Sequence, residues 1–482
     1  MKTLHNVRKP SLALSLVPFL FLIVFMLTGV IVLEVEPHVP LIAASIVTAF
    51  IGKYLGHSWE DMEKAMIESN AMVMQANFII LIVGCLIGTW IAGGIVPGLI
   101  YYGLDLFTPS MFLLLLPVMC SVISVSTGSA WTTAGTLGTA AMGIGAGLGI
   151  PPAIIAGAVV TGASFGDKLS PLSDSTNLAA AVTGTNLFDH VKHMLYTTIP
   201  SFTISIILYG LIGMKYRGQA VDATQINAIM EVLDSTFWIT PLILIAPLFV
   251  VLMVVLKVPA IPGMMGGTAV GIVFSLLQGH SIADTLQYLF YGFEITTGNQ
   301  MVDNLLNRGG LVSMLEVTAL VICALCFGGL IKQIGCVDTI LNAILKRFKS
   351  RGSIILSNIV ACIAMNFMAA DQYMAIVIPG QMYKQVYEKL NLHSKNLSRV
   401  LEDAGTLTSG LVPWSTCGAV YHATLGVSAF QYGMFHFLGL INPIISAIYG
   451  YTGIALAKLK EDEPIKDYIE DIGGEGETKV DS

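Results

Sequence analysis

Residues 162–181 read GASFGDKLSPLSDSTNLAAA and set Asp167, Lys168 and Asp174 around Pro171, among five hydroxyl side chains. A helix carrying this stretch stops and restarts. Proline has no amide hydrogen to give, and Ser173 with Asp174 ahead of TNLAAA is a helix-start signature. The surrounding chain is 55% hydrophobic and only 11% charged over 482 residues, with a mean hydropathy of +0.76. Soluble domains carry about 25% charged residues. The break therefore lies inside a membrane-crossing segment, and the chain reads as an all-α polytopic membrane protein.

Apolar runs long enough to cross about 30 Å of hydrocarbon recur from Leu12 to Ala457. They are continuous and Gly-rich, unlike the alternating strands of a barrel. The first run, Leu12 to Leu33, is too long for a signal-peptide core and reads as a retained span. All seven cysteines lie in or beside apolar runs and read as buried thiols, including the Cys323/Cys326 pair. The acidic stretch from Glu461 to Ser482 carries part of the net charge of −7 and reads as a disordered soluble tail.

Lys and Arg are retained on the cytoplasmic side, so they orient the runs. Lys2, Arg8 and Lys9 put the amino end inside, and no Lys or Arg follows between Lys64 and Lys168. Runs at about 12–33, 38–56 and 76–102 precede a segment at 111–148 interrupted by SVSTGSAWTTAGTLG. That segment reads as a re-entrant hairpin with both feet outside. A broken span at about 153–185 and a span at 194–214 complete the first half.

The second half follows the same plan, with runs at about 236–256, 259–278 and 309–332 and an amphipathic segment at 281–307 that matches 58–71. Its hairpin, 354–382, is interrupted by NFMAADQY and flanked by Lys346, Arg347, Lys349 and Arg351 on one side and Lys384 and Lys389 on the other, so both feet are expected inside. A broken span at 396–427 and a final span at 433–457 follow. Five crossings plus a hairpin per half is an odd count, which inverts the second half. LIVGCLIG at 81–88 aligns with LVICALCFGG at 320–329, which pairs Ser129 with Asp371 and Asp167 with Asp403. The expected divisions are a first inverted repeat at 1–215, an inter-repeat loop at 216–235, a second repeat at 236–457 and the acidic tail at 458–482. Inverted repeats with broken helices and hairpins are the architecture of secondary transporters, with the site near mid-membrane.

An ionised carboxylate at the bilayer centre costs at least about 2.5 kcal/mol, so acids at such breaks are functional candidates. Asp167, Asp174, Asp371 and Asp403 all fall at helix breaks or hairpin tips. Asp174 with Ser173, Thr176 and Asn177 offers a carboxylate and neutral oxygens suited to Na+, as does Asp371. The same Ser173 and Asp174 also suit a helix cap. Lys168 is expected either to neutralise a carboxylate across the break or to face an interface. Arg399 is expected to pair with Glu402 toward the cytoplasmic surface, leaving Asp403 as the proton or cation carrier. Ser129, Thr132, Thr133, Thr406, Thr408, Ser415 and Thr416 are expected to line the substrate path, although membrane Ser and Thr often bond only their own backbone.

GASFGDKLSPLSDSTNLAAAV at 162–182, STGSAWTTAGTLG at 126–138 and EDAGTLTSGLVPWSTCGA at 402–419 resemble the NhaC family of sodium/proton antiporters. The likeness covers nearly all of the membrane part. It implies coupling of Na+ and H+, with the family motif falling on Asp167, Ser173, Asp174, Thr176 and Asn177. The same family includes malate/lactate exchangers, so an organic acid is the alternative solute. The expected partners are the lipid bilayer, Na+ and H+, with malate or lactate and a second copy of the chain as additions. No cofactor or nucleic acid is expected, and the expected location is the plasma membrane with both termini cytoplasmic. A channel would show one continuous polar lining, whereas polar residues here gather in two clusters. No HExxH, GxSxG or Walker pattern points to an enzyme.

Overall fold

The structure is a computed structural model that describes residues 7–468, apart from 27, 30–32, 34, 73, 172, 217–222, 257, 308 and 346. Positions 469–482 of the expected tail, 217–222 of the expected loop and the Lys346 flank lie outside the described residues. The described chain is almost entirely helical, with two isolated bridges as its only extended pairings. Among the described residues, four helices are long and apolar enough to cross a membrane on their own: His38–Leu55, Leu187–Lys215, Leu311–Gln333 and Arg351–Met368. Three further helix pairs qualify only when each bent pair counts as one span.

The distribution of side chains is that of a protein solvated by lipid. On Leu187–Lys215 the residues Leu195, Ile199, Ile207 and Leu211, four or eight positions apart, face outward. The opposite face buries Thr197, Thr198, Ser201 and Ser205. Apolar outside and hydroxyl inside reverses the soluble pattern and suits helices that associate by packing and hydrogen bonds in hydrocarbon.

The segments read as hairpins and as broken spans each fold as helices joined by a turn. The first hairpin pairs Pro109–Thr127 with a helix that starts at Ala130 and ends at Gly147, widened into a π-turn over Ala134–Gly138. The first broken helix is Pro152–Leu169 followed by Asp174–Thr183. The second hairpin pairs Arg351–Met368 with Gln372–Lys389. The second broken helix runs from Ser394 through a π-helical stretch, Leu401–Thr406, to Ser409, and resumes as Thr416–Leu425. Glycines let the first hairpin and first broken helix come close. A Cβ on Gly162 or Gly166 would strike the carbonyl oxygens of Pro117 and Ser121.

Several expectations need correction. The 76–102 run is two helices, Met74–Ala92 and Ile95–Leu106, bent by 67° at Gly93–Gly94, where Gly94 takes a left-handed φ of 71°. The expected loop at 216–235 contains the helix Ala223–Thr236, and Cys336–Leu345 is a helix the reading missed. The tail is not free as far as residue 468. Asn391, at φ 58°, donates its amide to the carbonyls of Lys460, Glu463 and Pro464, and Arg351 pairs with Asp467 at 2.6 Å. Backbone hydrogen bonds from Arg351 to Asp467 and from Lys466 to Leu390 fix the same strap across the feet of the second hairpin.

Candidate functional site

Each hairpin tip is built the same way, by a left-handed residue followed by a helix cap. Gly128 (φ 65°) precedes Ser129, whose side chain accepts the Thr132 amide; Ala370 (φ 55°) precedes Asp371, whose carboxylate accepts the Met374 amide at 3.0 Å. Capping satisfies amides that have no partner within the helix, an obligation that hydrocarbon makes strict. Asp371 therefore has a structural task as well, which the sequence reading did not give it.

The tips reach the breaks. The Ala130 amide and the Ser173 hydroxyl face the Asp167 carboxylate. Across the other unit, the Thr416 amide donates to the Ala370 carbonyl at 2.9 Å and the Thr416 hydroxyl to Asp371 Oδ2 at 3.3 Å. Asn366 of the second hairpin donates to the Gly405 carbonyl at 2.6 Å and to Thr408 Oγ1 at 3.0 Å. The two hairpins and two broken helices thus meet in one buried polar region.

At its centre lies a fully buried charge cluster. Lys168 Nζ bonds Asp403 Oδ1, which also accepts from Thr197 at 2.8 Å and Asn442 at 2.7 Å. Arg399 Nε stands 3.8 Å from Asp403 Oδ2, while its Nη1 donates to the Ala455 carbonyl at 2.7 Å and lies 3.2 Å from His193. Lys168 therefore neutralises a carboxylate across to the second broken helix, and the interfacial alternative is excluded by its complete burial. Arg399 is fully buried and does not pair with Glu402; its partner is Asp403 one turn on. Spacings of three and four residues both reach along a helix, so sequence alone could not choose between the two acids. Lys168 and the π-helical widening decide it.

The remaining expected residues divide by what their polar atoms already do. Asp167 and Asp371 are buried, while Asp174 opens the resumed helix and is exposed. Thr176 donates to the Lys168 carbonyl at 3.0 Å, and Asn177 to the carbonyls of Pro171 and Ser173, both at 2.8 Å, so these two brace the break. Ser173 lies 3.1 Å from the Ser175 hydroxyl. Thr133 and Thr408 return their hydroxyls to carbonyls of their own helices, Thr132 bonds Ser129, and Ser415 caps the resumed helix through the Gly418 amide. Thr406 is buried with its hydroxyl unbonded. Two further buried residues have unbonded polar atoms: Glu402, which the reading gave to Arg399 and whose carboxyl oxygens are both without a hydrogen bond, and His190, which it did not single out and whose ring nitrogens are both unbonded. A pair of adjacent acids, EDAG, was the signal that a second carboxyl enters the site.

Among the described residues no three His, Cys, Asp or Glu side chains converge as a divalent-metal set. Carboxylates with hydroxyls and freed carbonyls are instead what a hard monovalent cation takes.

Residues 9–176 and 162–454 match the model of the "Na+/H+ antiporter family". The chain is 42% identical to the Na+/H+ antiporter NhaC of Alkalihalophilus pseudofirmus, over 94% of this chain and 98% of that protein. It is 37% identical to the malate-2H+/Na+-lactate antiporter of Bacillus subtilis, over 93% and 96%. It is 34% identical to the arginine/ornithine antiporter ArcD of Halobacterium salinarum, over 92% and 93%.

Proposed function

The chain belongs to the Na+/H+ antiporter family, and from that premise we infer that it is a multi-pass membrane antiporter that exchanges Na+ for H+ by alternating access. The observation that carries the reading is the meeting of two hairpin tips and two helix breaks around buried carboxylates. A carboxylate that takes either a proton or a cation couples the two flows without further machinery. Na+ and H+ are cargo here, and Asp167, Asp174 and Asp371 are the proposed points of entry for the cation, with Ser173 and Thr416 beside them. Asp403, held by Lys168, Thr197 and Asn442, serves as the fixed anchor between the two broken helices.

The architecture we propose is two repeats of opposite orientation, at 1–215 and 236–457, in the plasma membrane with both termini cytoplasmic. What supports it is a constant register. Thr108 pairs with Ser350, Gly128 with Ala370, Ser129 with Asp371, Gly149 with Asn391, Ser173 with Ser415 and Gly184 with Gly426, each 242 positions apart. Three of the six pairs share a left-handed backbone. In this register Asp167 falls on Ser409, so the sequence match of Asp167 with Asp403 is off by six residues. Arg351–Met368 is long enough to cross on its own, and the buried turn at Asp371 is what favours a hairpin.

The second reading, exchange that also carries malate or lactate, is favoured by the malate/lactate relative. Arg399, the buried arginine of the site, uses Nη1 for Ala455 and His193 and leaves Nε and Nη2 without a hydrogen bond, so this guanidinium and the helix amino ends are the groups that would hold an organic carboxylate. Inside-out vesicles holding a pH gradient separate the two. Na+ alone should dissipate the gradient, and K+, malate or lactate without Na+ should not. A response to Na+ that appears only when lactate or malate is present would replace the first reading by the second.

A further inference from the structure

Glu402 and Asp403 are neighbours in sequence with opposite fates. Asp403 takes a lysine, a threonine and an asparagine on Oδ1, while its Oδ2 has only Arg399 Nε, 3.8 Å away, for company. Glu402 is equally buried, at 0% exposure, and neither of its oxygens has a hydrogen-bond partner. Thr406, one turn on, has an unbonded hydroxyl as well. The π-helical stretch Leu401–Thr406 carries all three, and π-turns inside helices recur at functional sites.

The charges around Glu402 do not balance. Lys168 and Asp167 face it from Pro152–Leu169, and the hydroxyls of Thr406 and Ser175 stand beside it outside bonding geometry. Arg399 and Lys168 supply two positive charges; Asp403, Glu402 and Asp167 supply three negative ones. His190 and His193 on Leu187–Lys215 turn toward the Asp403 side. The titratable groups that Arg351–Met368 and Gln372–Lys389 present here, Cys362, Tyr383 and Tyr387, are already hydrogen-bonded to Asn358 or Ser357. Tyr449, from Phe437–Thr452, lies under Arg399. With both histidines neutral, one negative charge of this group is left over. A buried uncompensated charge is strongly unfavourable, so the site requires one monovalent positive charge from outside.

Resting on the exchange reading, we propose that Glu402 is the proton-carrying group of the cycle: the surplus charge is balanced alternately by a proton on Glu402 and by a Na+ ion taken among Glu402, Asp167, Thr406 and Ser175. The balance is one for one. The carboxylic acid gives its proton to water as Na+ enters, and takes one back as Na+ leaves, so the cluster stays neutral in both states. Asp403, bonded through Oδ1 to Lys168, Thr197 and Asn442, keeps its charge paired in both states.

Thermal unfolding of the full-length protein in detergent, with NaCl or choline chloride across a pH series, tests the assignment. Na+ should stabilise the wild type, and more so as pH rises, because a ligand of the native state stabilises it in proportion to occupancy. Glu402→Gln keeps the shape of the protonated acid and removes the surplus charge. It should melt no lower than wild type without Na+, and its Na+-induced shift should vanish at every pH. Glu402→Asp should keep the shift with a displaced pH profile. A Na+ shift in Glu402→Gln that follows the wild-type pH profile overturns the proposal, and so does a melting temperature below wild type without Na+. If Glu402→Gln does not reach the membrane, an unmoved profile in Glu402→Asp overturns it. Absence of both the shift and Na+/H+ exchange in the wild type would instead remove the exchange reading on which the proposal rests.

Discussion

The two hairpin and broken-helix units place their turns and helix starts 242 positions apart and exchange their chemistry. At the hairpin tip the first has Ser129 where the second has Asp371; at the start of the resumed helix the first has Asp174 where the second has Thr416. Each unit thus carries one carboxylate and one hydroxyl at the same two places, in opposite order. The long halves of the broken helices differ more. Gly157, Val160 and Thr161 of the first stand at the positions of Arg399, Glu402 and Asp403 in the second, while Asp167 and Lys168 stand at those of Ser409 and Gly410. The turns and helix starts keep one spacing in both units. The side chains then make one site from two unlike contributions, with the negative charges mainly on one broken helix and the lysine on the other.

Orientation is the largest test of this comparison, because it is all or none. In whole cells, single cysteines at Thr108 and Pro151, the feet of the first hairpin, should both react with an impermeant thiol reagent. Ones at Lys349 and Glu388, by the feet of the second, should both be protected. The native cysteines are buried or half-buried and supply the background. Unlike labelling of the two feet of either hairpin breaks the equivalence of the units.

Next in size is the bond that joins the units. Lys168→Met strands the Asp403 carboxylate, and Asp403→Leu strands Lys168. Breaking a buried pair by removing one partner costs about 3–5 kcal/mol, whereas replacing both partners by apolar groups is often neutral. Each single variant should lose most of its folded protein after extraction, and the double variant should recover a clear part of it. Additive losses in the double variant would show that Lys168 and Asp403 act independently.

How much of this was legible in the sequence follows from the kind of physics involved. Breaks announce themselves locally: Pro171 and Pro413 lack a donor, and a serine stands at the N-cap of each resumed helix, Ser173 and Ser415, so both broken helices were placed within a few residues. Bends made by glycine alone, such as Gly93–Gly94, leave no comparable mark, because glycine also serves close packing. The site was legible as a set of acids and was not legible as a set of partners. Asp371 looked unexplained until its Met374 amide was seen, and Asp403 looked free until Lys168 reached it from 235 residues away. Such pairings depend on three-dimensional neighbours, and no spacing rule along one helix contains them. The sparing of Glu402 is equally a matter of what Lys168 chooses.

The smallest expected effect concerns Gly149 and Asn391, which occupy equivalent left-handed turns at φ 72° and 58°. Glycine and asparagine are the two residues that accept this conformation most readily, so the backbone does not distinguish them. Their surroundings do. A side chain added at Gly149 would meet nothing within 4 Å, whereas Asn391 is 3% exposed and bonds the strap at four points, three through its amide and one from the Lys460 backbone to its oxygen at 2.9 Å. Asn391→Gly should therefore keep the turn and release the strap at a cost of about 1–3 kcal/mol, the range for removing a partner from buried polar groups. Gly149→Asn should stay within about 0.5 kcal/mol of wild type, as surface changes away from special features do. Limited proteolysis reads the difference directly. Cleavage between Lys458 and Lys466 should accelerate in Asn391→Gly and be unchanged in Gly149→Asn, and equal rates in both would mean that the strap is held by Arg351 and Asp467 rather than by the turn.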